Sequence, residues 1–150
     1  MVRRDPPRRR PLLFSKPLVA AISGAAAGLG LVEALYCDVR SSTPQAKLTA
    51  AFSRRGLIGE YGITWLLPRL VGRSRAMDIL LSSRVILGEE ALQLGLVDRV
   101  VAPELLFDAA VAYAEELANF CSLAAMWTIK ESCFGARTAR SSRRSRRATG

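Results

Sequence analysis

Residues 18–32 read LVAAISGAAAGLGLV, and the rest of the chain is best understood outward from them. Leu18–Ser23 is a short apolar run that suits a buried strand. Gly24-Ala-Ala-Ala-Gly28-Leu-Gly30 predicts a sharp turn, and Leu31–Cys37 a helix that starts there. A strand, a small-residue turn and a helix N-terminus together present backbone N–H groups beside the positive end of the helix dipole. Such a corner suits an oxyanion, including the enolate of a thioester. The alanines at 25–27 would let a ligand come close to the backbone. Packing offers a second explanation, because any tight strand-to-helix turn favours small residues. Phosphate-loop motifs do not: Glu33 stands where G-x-G-x-x-G needs its third glycine, and no G-x-x-x-x-G-K-[ST] occurs.

Downstream, Cys37-Asp-Val-Arg40 reads as a short extended piece, followed by a Ser-Ser-Thr-Pro turn and a strand at Ala46–Phe52. Gly56, Gly59 and Gly62 predict a loop around Glu60. Helices are expected at Ile63–Val71, kinked or split at Pro68, and at Ser74–Leu81 with Ser74 as N-cap. A short helix at Glu89–Leu94 closes on Gly95, and Leu96–Val101 follows as a strand. In Glu104–Phe120, Leu106, Ala110, Tyr113, Leu117 and Phe120 recur at spacings of four and three and define an apolar face. Residues 122–134 give a last helical segment. The pattern is mixed α/β, one ordered region over about residues 16–134.

Composition narrows the chemistry. The chain has 150 residues, enough for one domain with a real core. It contains no histidine, which removes Ser-His-Asp and Cys-His nucleophiles and HExxH zinc chemistry. Cys37, Cys121 and Cys133 form no C-x-x-C pair, so a reducing, cytoplasmic setting is the simpler expectation. The net charge of +9 is not spread evenly. Residues 1–16 carry six basic groups against Asp5, and residues 130–150 carry seven against Glu131, leaving 9 basic and 11 acidic groups in residues 17–129. Tails at 1–15 and 135–150, one Pro/Arg-rich and one Ser/Arg-rich, are expected to be disordered. A polyanion-binding arm is the alternative use for them, but no aromatic residue interleaves with the C-terminal arginines. The apolar stretch after the first arginines resembles a signal sequence. It ends at Glu33 after fifteen residues, short of the roughly 20 that span a bilayer. Neither a membrane nor a nucleic-acid partner is expected.

One resemblance gathers these pieces. The stretch from Lys16 to Gly30, then Cys37-Asp38, Gly56-Leu-Ile, Leu67-Pro-Arg-Leu-Val-Gly72 and Glu90-Ala-Leu-Gln-Leu-Gly-Leu-Val97, resembles the enoyl-CoA hydratase/isomerase (crotonase) family in order and spacing. It covers about residues 16–131, and Ser53-Arg-Arg-Gly-Leu-Ile with Glu60-Tyr-Gly is similar to one branch of the family. The resemblance implies a crotonase-like α/β spiral of ββα units, a helical trimerisation region near the C-terminus, and acyl-CoA substrates in fatty acid metabolism. No cofactor is implied, since coenzyme A is part of the substrate. A homo-oligomer, trimer or hexamer, is implied as the assembly.

Carried over by position, the family's oxyanion amide falls at Leu29, between Gly28 and Gly30. The paired glutamates that activate water in hydratases correspond to Val32 and Phe52, neither of which moves a proton. Glu33 is one residue away, and one helical step rotates a side chain by about 100°. Glu60, flanked by Ile58 and Tyr61, matches the place where isomerase-type members set an Asp or Glu over the acyl group. Shifting a double bond needs one base that takes a proton from one carbon and returns it to another. The bland alternative is a solvated loop carboxylate. Gly28, Leu29, Val32, Ala51, Phe52 and Glu60 are thus the expected lining of the acyl site, and no metal is expected. Lys130 is expected to be exposed, with a CoA phosphate as its alternative partner.

The resemblance begins where the family domain is about half built, and residues 1–15 do not resemble the missing half. That half supplies a second oxyanion donor, commonly worth about 3 kcal/mol. The expectation is weak or absent turnover, and an exposed edge on Leu18–Ile22 that favours association. An inactive remnant acting through oligomerisation is therefore the second expectation.

Overall fold

The computed structural model describes residues 14–135; most of both basic tails lies outside the described residues. Parallel pairing organises what is described. Strand β1 (Val19–Ile22) runs beside β3 (Val39–Ser42), with Val19 opposite Val39 and Ile22 opposite Ser42. On the other side of β3 lies β6 (Arg99–Val100), also parallel. A second sheet contains β2 (Ala25–Ala27) parallel to β4 (Lys47–Thr49), with β5 (Ile86–Leu87) antiparallel on the far side of β4. The strand orders are β1-β3-β6 and β2-β4-β5. Successive strands alternate between sheets: β1 and β2 precede helix α1 (Leu29–Tyr36), and β3 and β4 precede α2 (Ile63–Val71). Parallel neighbours need such crossovers.

The helices fill the space beside these short strands. Helix α1 buries Leu31, Val32, Leu35 and Tyr36, which join Leu48 of β4 and Ile63, Leu66 and Leu67 of α2 in one core. Next come α3 (Arg73–Ser82) and α4 (Gly88–Leu94), then α5 (Leu106–Phe120) and α6 (Leu123–Gly135). Pro68 sits inside α2 without dividing it. Gly95 closes α4 in the left-handed conformation, as expected.

Several boundaries differ from the sequence reading. The glycine–alanine stretch is not all turn: Ala25–Ala27 forms β2, because Ala26 is buried opposite Leu48 and the backbone finds partners in β4. Helix α1 consequently begins at Leu29 rather than Leu31. Ser41 and Ser42, expected in a turn, are buried in β3, where the Ser42 hydroxyl donates to Ile22 O at 3.2 Å. The strand expected over Ala46–Phe52 stops at Thr49, since Ala51 takes φ 61° and leaves the ladder. Ser74 does not cap α3, which starts one residue earlier after Gly72. The strand at Leu96–Val101 shrinks to Arg99–Val100. Helix α5 starts at Leu106 behind a 3₁₀ turn at Pro103–Leu105, and on its expected apolar face Phe120 is 83% exposed.

Lys130 is the clearest correction. It is buried, not exposed. Its Nζ donates to Asp38 Oδ2 at 2.6 Å and to Lys16 O at 3.2 Å. The same Asp38 oxygen accepts the Leu18 N–H at 2.7 Å. An ammonium removed from water needs such partners, and this group fastens α6 to the start of β1 and β3. Arg40 makes a comparable junction: its guanidinium donates to Leu96 O at 2.9 Å and Cys37 O at 2.7 Å, and pairs with Asp98 at 3.1 Å.

Candidate active site

The corner between β2 and α1 is built by Gly28, whose φ of 52° and ψ of −117° exclude a side chain. Its N–H donates to Thr49 O at 3.1 Å, and its carbonyl accepts the Val32 N–H at 3.0 Å, closing the first turn of α1. Leu29 and Gly30 are therefore the first residues of a helix, where N–H groups have no acceptor within the helix itself. The Ala50 carbonyl lies beside the corner, 3.9 Å from where a Cβ on Gly28 would stand.

Thr49 joins that corner to the next segment. Its carbonyl holds Gly28, while its hydroxyl accepts the Ala51 N–H at 3.2 Å and donates to Ser83 O at 2.9 Å. The Ser53 and Ser83 hydroxyls lie 2.8 Å apart, and Ser83 Oγ accepts the Ser53 N–H at 3.3 Å. Both Ala51 and Ser83, at φ 61° and 45°, occupy left-handed backbone that side chains disfavour. Such conformations persist where surrounding bonds enforce them, and they concentrate at functional sites.

Val32 and Phe52 are 1% and 6% exposed and belong to the core. They offer apolar surface and no proton. Glu33 points elsewhere, into an open groove of about 480 Å³ with Ile22, Ser23, Gly24, Ala25 and Gly30 along the edge strands. Glu60 is half-buried, and its carbonyl accepts the Ile63 N–H at 3.1 Å, ahead of α2. Its expected apolar neighbours do not enclose it: Ile58 is 80% and Tyr61 37% exposed. Thr49 thus bonds to both Gly28 and Ala51, Leu29 follows Gly28 at the start of α1, Val32 and Phe52 lie in the core, and Glu60 stands on a separate loop.

Sequence reasoning missed the Thr49–Ser53–Ser83 hydroxyls and Tyr36. An outward signal existed for Tyr36 alone, since a tyrosine within an apolar helix needs a partner for its hydroxyl. That hydroxyl donates to Tyr61 O at 3.0 Å. Burial pushes the Cys37 thiol above its usual pKa, against the pull of the Arg40 guanidinium. Among the described residues, no cluster of three or more His, Cys, Asp or Glu side chains is placed to hold a metal, and no helix is long and apolar enough to cross a membrane.

Comparison with known proteins identifies the class to which this fold belongs. The family model described as enoyl-CoA hydratase/isomerase matches residues 11–148. The chain belongs to the enoyl-CoA hydratase/isomerase family. It is 48% identical over 102 residues to the glyoxysomal fatty acid beta-oxidation multifunctional protein MFP-a of Cucumis sativus, covering 68% of this chain and 14% of that one. It is 41% identical over 115 residues to 1,2-epoxyphenylacetyl-CoA isomerase of Escherichia coli, covering 77% and 44%. The crystal structure of an enoyl-CoA hydratase from Mycobacterium marinum superposes with a TM-score of 0.81 at 49% identity, covering 88% of this chain and 67% of that one. The chain therefore spans less than half the length of these two curated relatives.

Proposed function

We propose that this chain carries part of an acyl-CoA site of the isomerase type, acting on enoyl-CoA thioesters. The observation that carries the proposal is the first turn of α1, where the Gly28 N–H is committed to Thr49 O. The Leu29 N–H follows it among the helix-start amides that have no acceptor within the helix, which makes it a donor for a thioester oxygen. Glu60 is the acid/base. Its carboxylate removes a proton from C2 of a 3-enoyl-CoA, the resulting negative charge spreads onto the thioester oxygen, and the same carboxyl returns the proton at C4. Nothing is gained or lost overall; the double bond moves. Apolar, buried Val32 and Phe52 support isomerisation over hydration, because neither side chain can activate water. The test is turnover of a 3-enoyl-CoA and of crotonyl-CoA by the full chain. Isomerisation that disappears in Glu60→Gln is expected, and unchanged turnover in that variant discards the assignment.

A second reading has its own support. Helices α5 and α6 expose Phe107, Phe120, Leu123 and Ile129, and β1 and β2 both stand at sheet edges. Such surfaces favour homo-oligomers, in which a catalytically silent chain would act through association. Sedimentation showing trimers or mixed oligomers without turnover is the expected result, and a clean monomer counts against it.

A further inference from the structure

We infer that Tyr36 is a positioning residue that sets where the Glu60 loop stands relative to the first turn of α1. The inference rests on the assignment of Glu60 as acid/base, and adds the element that holds it. Helix α1 carries Leu29 at one end and Tyr36 at the other, about 10 Å apart along a rigid axis. The Tyr36 ring is buried, 2% exposed, while its hydroxyl reaches out of the core to Tyr61 O at 3.0 Å. Tyr61 directly follows Glu60 and is held at φ 56°, left-handed backbone that a tyrosine adopts only under constraint.

The neighbouring position points the same way. Gly62 stands at φ 82°, and a Cβ there would lie 2.5 Å from the Tyr36 hydroxyl. The glycine thus leaves room for the phenol as well as satisfying the turn. Immediately beyond, the Ile63 N–H closes back on Glu60 O at 3.1 Å, and the Leu66 N–H on Gly62 O at 3.0 Å. The Tyr36 hydroxyl therefore links the helix bearing the proposed oxyanion donor to the loop that carries Glu60. Two groups that must meet one acyl chain are referenced to a single helix.

Amide hydrogen exchange on the full chain tests the tether without any substrate. In Tyr36→Phe, which keeps the ring in the core, the Ile63 amide should exchange roughly 10-fold faster, the decade that one net hydrogen bond represents. The Ser83 amide, bonded to Ile79 O at the far end of α3, should not change. Gly62→Ala displaces the phenol and also strains backbone held at φ 82°, so protection at Ile63 should fall at least as far as in Tyr36→Phe. Unchanged protection at Ile63 in both variants overturns the inference, as does an equal loss at Ile63 and Ser83, which marks general destabilisation. Where isomerase turnover is measured, Tyr36→Phe should lower kcat roughly 10-fold and leave KM within about twofold; a loss confined to KM also overturns it. Turnover that survives Glu60→Gln sinks the acid/base assignment instead, while the exchange result still decides the tether.

Discussion

The β2–α1 corner and the α5–α6 pair are made of similarly apolar residues, yet they are held in opposite ways. At the corner, Leu31, Leu48 and Leu67 are fully enclosed, and hydrogen bonds from Gly28, Thr49, Ser53 and Ser83 fix the backbone around them. In α5, only Leu106 and Ala110 are buried, and in α6 the buried residue among those described is the charged Lys130. Helix α6 is thus secured by an ion pair with Asp38 rather than by an apolar stripe. One region is specified by packing and the other by a point contact. Only the second leaves large apolar side chains for something else to cover.

The strongest way to break this contrast is at the point contact. Asp38→Asn leaves the Lys130 ammonium buried without its counter-charge and should cost about 3 kcal/mol in denaturant unfolding. Asp38→Leu combined with Lys130→Met should cost less than either single change, because no orphaned charge remains. If the double variant is the least stable of the set, the ion pair is not what holds α6. Within the corner, Leu48→Ala should cost about 3 kcal/mol through its cavity, whereas Phe120→Ala should change unfolding by less than about 0.5 kcal/mol. Equal losses would erase the distinction between the regions.

Smaller effects sharpen it further. Ser83→Ala keeps a side chain at φ 45° and removes the hydroxyl, for a cost of about 2 kcal/mol; Ser83→Gly relieves the backbone and should cost about half as much. Identical thermal shifts would show that the hydroxyl alone matters. Last, Cys37 should react with iodoacetamide more slowly at neutral pH than exposed Cys121, since burial raises its thiol pKa and thins its thiolate. The sign for stability follows: a raised folded-state pKa gives stabilisation that is complete below the ordinary thiol value and fades as pH climbs through the raised one. Faster labelling of Cys37 in mass spectrometry would contradict its burial.

The contrast also explains what the sequence made legible. Long apolar segments such as α2 were readable to the residue, because Ile63, Leu66, Leu67 and Val71 follow helical spacing into the core. Short strands were not. Ala25–Ala27 has the composition of a turn, and only pairing with β4 makes it a strand. Lys130 looked like a surface lysine, since its partner Asp38 lies 92 positions away and no local pattern links them. At the candidate site, Leu29 and Glu60 could be marked by family position. The Thr49–Ser83 and Tyr36–Tyr61 bonds, at separations of 34 and 25 residues, exist only once the chain has folded.

Arg40 shows how narrow such folded-state demands become. Its guanidinium reaches three backbone carbonyls, Leu35, Cys37 and Leu96, and one carboxylate, Asp98. A lysine has the charge but only one terminal nitrogen on an unbranched stem, so it cannot span the end of α1 and the approach to β6 at once. The planar fork thus acts as a spacer gauge, so that Arg40→Lys keeps the charge yet opens the junction between the end of α1 and the approach to β6.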